Sequence, residues 1–323
     1  MNIRLASKMT PLHKKILSVA ILLILVALAI YYLKNNISDF NQLAIVSPWL
    51  IILLVILFLI TYVAISSINL YLLKPLGVNL EVKESFMLSV MTGFYNLITP
   101  FRGGMAARAV YLKKKYKFPY TDFLATLAAS YVLIFLVAGI VGLFSVYYIY
   151  KITAQLSLII LGVFLVSTLS MLFIIIFSPR IPETKYPWLN RFIRVINGWH
   201  LIRKNKKVVL ATLFFSFLQL LIGSTMLYLQ FRVFGIQIPF TSTLFITALN
   251  SIGILLAITP AGLGITEAIT VFSASTLGIL PAQSLSAALL GRAISLIVLF
   301  ILGPIFSYIL LKKKPSDIIR RRK

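Results

Sequence analysis

Cysteine is absent from the 323 residues, and histidine occurs only at His13 and His200. The first absence excludes disulfides, thiolate nucleophiles and cysteine-based metal sites, and the second leaves too few ligands for zinc and too little for a histidine triad. Acidic residues number only seven. General acid–base chemistry needs a carboxylate held at a reacting centre, and Glu267 is the one acid well placed within an apolar region. No metal site and no cofactor is implied. Charge of either sign is sparse too: 12% of residues are charged, against about 25% in an ordinary soluble chain.

What remains is apolar. Hydrophobic residues make up 60% of the chain, and runs of roughly 18 or more of them read as membrane spans. Such runs occupy residues 16–33, 48–73, 121–150, 153–177, 208–231, 241–258 and 282–311. The first is longer than the core of a signal peptide and ends without a small-residue cleavage pattern, so it reads as a retained helix. Two shorter stretches, 85–98 and 265–278, each abut an interruption: Thr99-Pro100-Phe101-Arg102-Gly103-Gly104 and Thr259-Pro260-Ala261-Gly262-Leu263-Gly264. Proline removes a helical hydrogen bond and glycine admits conformations closed to other residues. Within hydrocarbon, such a break survives only where protein or a water-filled cavity satisfies the freed backbone. As a pair of ordinary loops or kinks the two blocks carry no mechanism; as re-entrant hairpins they do.

The basic residues choose between these. With both blocks re-entrant, six crossings remain and both termini lie in the cytoplasm. Segments 1–15, 74–120, 178–207 and 312–323 are then internal and hold 27 of the 31 Lys and Arg residues. Lys34, Lys151 and Arg232 lie outside, and Arg292 falls within a span. A full crossing at 85–98 would export Arg102, Arg108, Lys113, Lys114, Lys115 and Lys117, against the preference of Lys and Arg for the cytoplasmic side. The expected fold is therefore an all-α polytopic bundle in the cell membrane: one integral domain, residues 1–323. Its first half, 1–150, contains a broken-helix block at 85–113, and its second half, 208–311, contains one at 241–278. A cytosolic amphipathic connection (178–207) joins them, and a basic tail (312–323) follows. The hairpins enter from opposite faces, which points to an inverted repeat. The Thr-Pro pairs and Gly104/Gly264 recur at an offset of 160, and alanine-rich helices follow both blocks.

These residues carry a resemblance. Pro260-Ala261-Gly262-Leu263-Gly264-Ile265-Thr266-Glu267-Ala268, with Arg292 downstream and the block at 96–112 upstream, resembles the flippase-like integral membrane family related to the transmembrane region of lysylphosphatidylglycerol synthetases. Gly104 departs from one common form of that family, being followed by Met105 where a glutamate is often found, while Arg108 matches its arginine. The resemblance implies a stand-alone membrane module moving a lipid or a lipid-linked molecule.

The candidate substrate-binding residues are Arg102, Gly103, Gly104, Arg108, Pro260, Gly262, Gly264, Glu267 and Arg292. An ionisable side chain at membrane depth costs at least about 2.5 kcal/mol on insertion scales, so it is a functional candidate. Arg292 either pairs with Glu267 and fixes the bundle or offers its guanidinium fork to a phosphate. Glu267 either pairs with Arg292 or carries a coupling proton. Arg102 and Arg108 are either topology signals or an anionic headgroup port beside a helix start. Asn96 and Asn250 either hydrogen-bond between helices or touch substrate, the packing reading being favoured, and Asp122 is expected to cap a helix start rather than handle protons. The lysine run 113–117 and the cluster 320–323 flank membrane segments, so the net charge of +24 signals topology and anionic lipid rather than nucleic acid.

Three function classes follow. The first is a flippase or transporter of a phospholipid or polyprenyl-phosphate-linked lipid. The second is a non-catalytic membrane partner of a lipid-modifying or glycosyl transferase. The third is an intramembrane headgroup transferase.

Overall fold

The computed structural model describes residues 44–153, 157–177, 180–182, 184–256 and 259–312. The expected crossing at 16–33 and the tail beyond residue 312 lie outside them. Every regular element among the described residues is helical. In chain order these are α1 (Leu50–Leu73), α2 (Val82–Ile98), α3 (Gly103–Tyr116), α4 (Tyr120–Thr153), α5 (Leu158–Ile176), α6 (Pro187–Lys204), α7 (Lys206–Val233), α8 (Phe240–Gly253), α9 (Ile265–Ser275) and α10 (Pro281–Lys312).

Among the described residues, α1, α4, α5, α7 and α10 are the five helices long and apolar enough to cross a membrane. They match the expected runs at 48–73, 121–150, 153–177, 208–231 and 282–311. Their outer faces leave Ile52, Ile159, Val166, Phe173, Leu210 and Ile297 largely exposed. A band of that size is not left bare to water in a soluble monomer. The molecule is an all-α polytopic membrane bundle.

The remaining helices of the core are short. α2, α3, α8 and α9 have 17, 14, 14 and 11 residues. At 1.5 Å per residue none exceeds about 25 Å, below a hydrocarbon thickness of about 30 Å. The apolar run 241–258, long enough on paper for a span, forms α8 only as far as Gly253. α2 begins at Val82, three residues before the apolar stretch, because Lys83 and Glu84 belong to its first turn.

α1 and α7 lie antiparallel against each other. The Val46 and Ser47 amides donate to the Val233 carbonyl at 2.8 and 3.3 Å. Thr61 meets Met226 midway, and Tyr71 stacks on Phe215 at the other end, with centroids 5.9 Å apart. The pair α2–α3 follows the end of α1, and α8–α9 follows the end of α7, so the two hairpins open from opposite ends of the bundle. α2 runs antiparallel to α10, with Phe94 edge-on to Phe300 and Phe86 edge-on to Phe306.

α6 is amphipathic, as its sequence indicates, and part of its apolar side is covered by protein, while Ile196 and Leu201 stay exposed. Ile193, Trp199 and Ile202 are buried, and Gly198 lets Ala125 of α4 approach closely. Arg203 donates from Nη1 to the Ile175 and Ile176 carbonyls at 2.7 and 2.9 Å, a cationic cap for the negative end of α5.

Candidate functional site

Both breaks have the same local build. After Thr99-Pro100, Phe101 and Arg102 adopt φ of 53° and 56°; after Thr259-Pro260, Ala261 and Gly262 adopt 48° and 67°. The left-handed residues fall at the offset of 160 found in the sequence. For non-glycine residues this conformation costs of order 1 kcal/mol or more each. It reverses the chain within one turn, so each pair of short helices folds back on itself.

The first hairpin is closed by a close backbone approach. A Cβ on Gly104 would stand 2.0 Å from the Thr92 carbonyl oxygen and 2.7 Å from Asn96 Oδ1. At its open end the buried Glu84 accepts from the Tyr111 hydroxyl at 2.8 Å and the Tyr116 hydroxyl at 2.9 Å, and pairs with Lys115 at 2.8 Å. Sequence reasoning missed this cluster. Its signal was available: one of only seven acids stands at the start of the hairpin's first arm, and Tyr111, Lys115 and Tyr116 stand at the end of the second.

The two breaks touch each other, and the second also packs on α2. Into this junction comes Arg292, about 17 Å along α10 by helical rise. Its Nε and Nη2 reach Glu267 Oε1 at 2.7 and 2.6 Å, and Nη1 donates to the Ala261 carbonyl at 3.2 Å. Glu267 Oε2 accepts the Gly264 amide at 2.7 Å, capping α9. Gly264 has φ of 81°, which glycine alone takes without strain. Arg292 and Glu267 are thus joined 25 residues apart, and the guanidinium fork is occupied on both edges. Pro260 and Gly262 serve this arrangement by presenting the Ala261 carbonyl.

The arginines of the first hairpin differ. Arg102 donates to the Tyr131 hydroxyl, and its guanidinium lies 5.7 Å from that ring. Arg108 is buried, donates from Nη1 to Asn69 Oδ1 at 2.7 Å and lies 5.1 Å from the Phe123 ring. Among the described residues neither has a carboxylate within salt-bridge distance, and Arg108 Nε has no partner. Phe123 and Tyr131 are eight residues apart on α4, about 12 Å. The two guanidiniums therefore form a track along α4 from the hairpin interior to the break. Gly103, beside Arg102, starts α3.

Asn250 donates to Thr270 across α8 and α9 at 2.9 Å, the expected interhelical bond. The amide oxygens of Asn96 and Asn250, one in each hairpin, are buried without partners among the described residues. Asp122 lies within the first turn of α4, which begins at Tyr120, so it is inside the helix rather than at the expected cap position.

The profile of the lysylphosphatidylglycerol synthase transmembrane region matches residues 15–303, most of the chain. The chain belongs to this family. A UPF0104 membrane protein of Methanocaldococcus jannaschii is 27% identical over 283 residues, covering 80% of this chain and 83% of the relative. No solved structure matches the chain. The profile takes in both breaks, Glu267 and Arg292, so the paired hairpins and the ion pair belong to the region that this chain shares with the lysylphosphatidylglycerol synthase transmembrane family.

Proposed function

We propose that the protein translocates an anionic lipid, a phospholipid or a polyprenyl-phosphate-linked one, whose headgroup binds between the two broken hairpins. The observation that carries this reading is the pair of guanidiniums, Arg102 and Arg108, without carboxylate partners beside a break in the first hairpin. A buried cation lacking a counter-ion is costly in protein interiors, and a phosphate would relieve that cost through charge-assisted hydrogen bonds. Two hairpins that open from opposite ends and meet at their tips suit alternating access. In this reading they are re-entrant, Gly103 and Gly104 let the headgroup approach the backbone, and both termini lie in the cytoplasm of a cell-membrane protein. Glu267 and Arg292 form the opposing wall, with Gly262 and Gly264 giving the second break its shape.

The test is translocation of fluorescent phospholipid by the purified protein in proteoliposomes, followed by quencher accessibility. Translocation above protein-free vesicles, reduced by Arg108→Gln, is the expected result. Its absence with every anionic lipid class tried would refute the reading. The second reading, a membrane partner for a lipid-modifying or glycosyl transferase, draws on the exposed cations Arg194, Lys204, Lys206 and Lys207 around α6.

A further inference from the structure

Outside the junction of the breaks, a groove of about 390 Å³ runs along the open end of the first hairpin. Met91 and Tyr95 of α2, Ala107, Val110 and Lys114 of α3, and Leu310 of α10 shape it. The α3 residues recur at helical spacing, so they form one stripe about 10 Å long. The stripe grades from apolar to cationic. Val110 is exposed in the groove, and the exposed Lys114 has no hydrogen-bond or ion-pair partner among the described residues. Lys113 and Lys117, also exposed, surround that end. Lys115 is held by Glu84, so the buried acid nearest the groove is already neutralised.

We infer that this groove binds one anionic phospholipid of the adjoining leaflet, with its phosphate at Lys114 and an acyl chain along Val110 and Ala107. Charge complementarity selects the occupant. An apolar channel at membrane depth is filled by hydrocarbon in any case, and the unpaired ammonium at its water-facing end adds a preference for a phosphodiester. One turn beyond Ala107 stand Gly103 and Gly104 at the break, so the bound lipid lies along the first hairpin, from its open end toward its tip. The inference goes beyond the translocation reading and does not depend on it, because it concerns binding at rest.

The full-length protein carrying Val110→Trp reports on the groove. It is reconstituted in phosphatidylcholine vesicles in which a minor fraction is dibrominated phosphatidylglycerol or, in parallel, dibrominated phosphatidylcholine. Bromine quenches the reporter indole only on contact; the three native tryptophans are subtracted using the protein without the reporter. The expected result is a preference for phosphatidylglycerol that Lys114→Ala lowers roughly fivefold, as for one cation near a membrane surface. Lys206→Ala removes an exposed cation at the same end of the bundle but outside the groove, and should leave the preference unchanged. Ala107→Phe, which fills the channel, should reduce quenching by both lipids. Soluble glycerol phosphate in excess should displace nothing. Equal quenching by the two lipids would overturn the inference. So would an equal loss from Lys206→Ala, which would mean bulk surface potential, or displacement by glycerol phosphate, which would mean a free-anion site. Vesicle translocation can fail while this preference persists, so the two proposals fail separately.

Discussion

The four charged side chains at the breaks divide into two kinds. Glu267 and Arg292 satisfy each other, and each also serves the backbone of the second break. Removing one partner of such a partly buried pair leaves an uncompensated charge, at a cost of up to about 3–5 kcal/mol. Glu267→Gln and Arg292→Gln should each lower thermal stability in detergent by that order, and the double variant by clearly less than their sum. Additive losses would mean that the two side chains do not act on each other. Arg102 is the other kind. It sits in a left-handed conformation where its repeat mate, at the offset of 160, is Gly262. Arg102→Gly should relieve about 1 kcal/mol of backbone strain, offsetting the lost contact with Tyr131. The melting temperature should therefore stay level or rise. Lipid translocation should fall by roughly tenfold, the equivalent of a lost charge-assisted hydrogen bond. A destabilised variant with unchanged translocation would assign Arg102 to structure alone.

At the scale of elements, the first hairpin depends on how closely its arms approach. Gly104→Ala places a methyl group against the Thr92 carbonyl oxygen, and overpacking of this sort costs about 1–3 kcal/mol. Gly162, in the outer helix α5, has open space at its Cβ position. There the same substitution should be neutral or stabilise by up to about 1 kcal/mol through helix propensity. Parallel melts of the two variants check this, and equal losses would contradict the close approach. The breaks were legible because proline and glycine act locally, whatever surrounds them. The long apolar helices were legible because hydrocarbon imposes a length. The contacts of Arg102 with Tyr131 and of Arg108 with Asn69 were not, because they join helices whose relative rotation no local pattern encodes. The partial burial of α6 was hidden for the same reason. Amphipathicity gives a helix one apolar face, but only the neighbouring α4, with Ala125 opposite Gly198, determines whether lipid or protein covers it. Glu84 was overlooked because a carboxylate beside lysines near a helix start reads as surface charge until both hairpin arms are seen to meet.

For the molecule as a whole, the antiparallel lie of α1 and α7 is the arrangement on which the rest depends. Val46 and Ser47 at the start of α1 bind the Val233 carbonyl at the end of α7. The loop before α2 and the loop before α8 must then face opposite ends of the bundle. Lys114 and Lys204 belong to one end and Gln237 to the other, and all three are exposed. The basic segments 74–120 and 178–207 share the first end, as cytoplasmic loops would. Because the chain has no cysteine, a single introduced thiol can be read without background. In intact cells, a membrane-impermeant maleimide should label Gln237→Cys but leave Lys114→Cys and Lys204→Cys unmodified. In inverted vesicles the pattern should reverse. A simple serial bundle, in which 85–98 crosses fully, would put Lys114 and Lys204 outside. Labelling of both from the exterior while Lys74→Cys, exposed before the hairpin, stays protected would therefore remove the opposed hairpins, and with them the alternating-access reading of the broken helices.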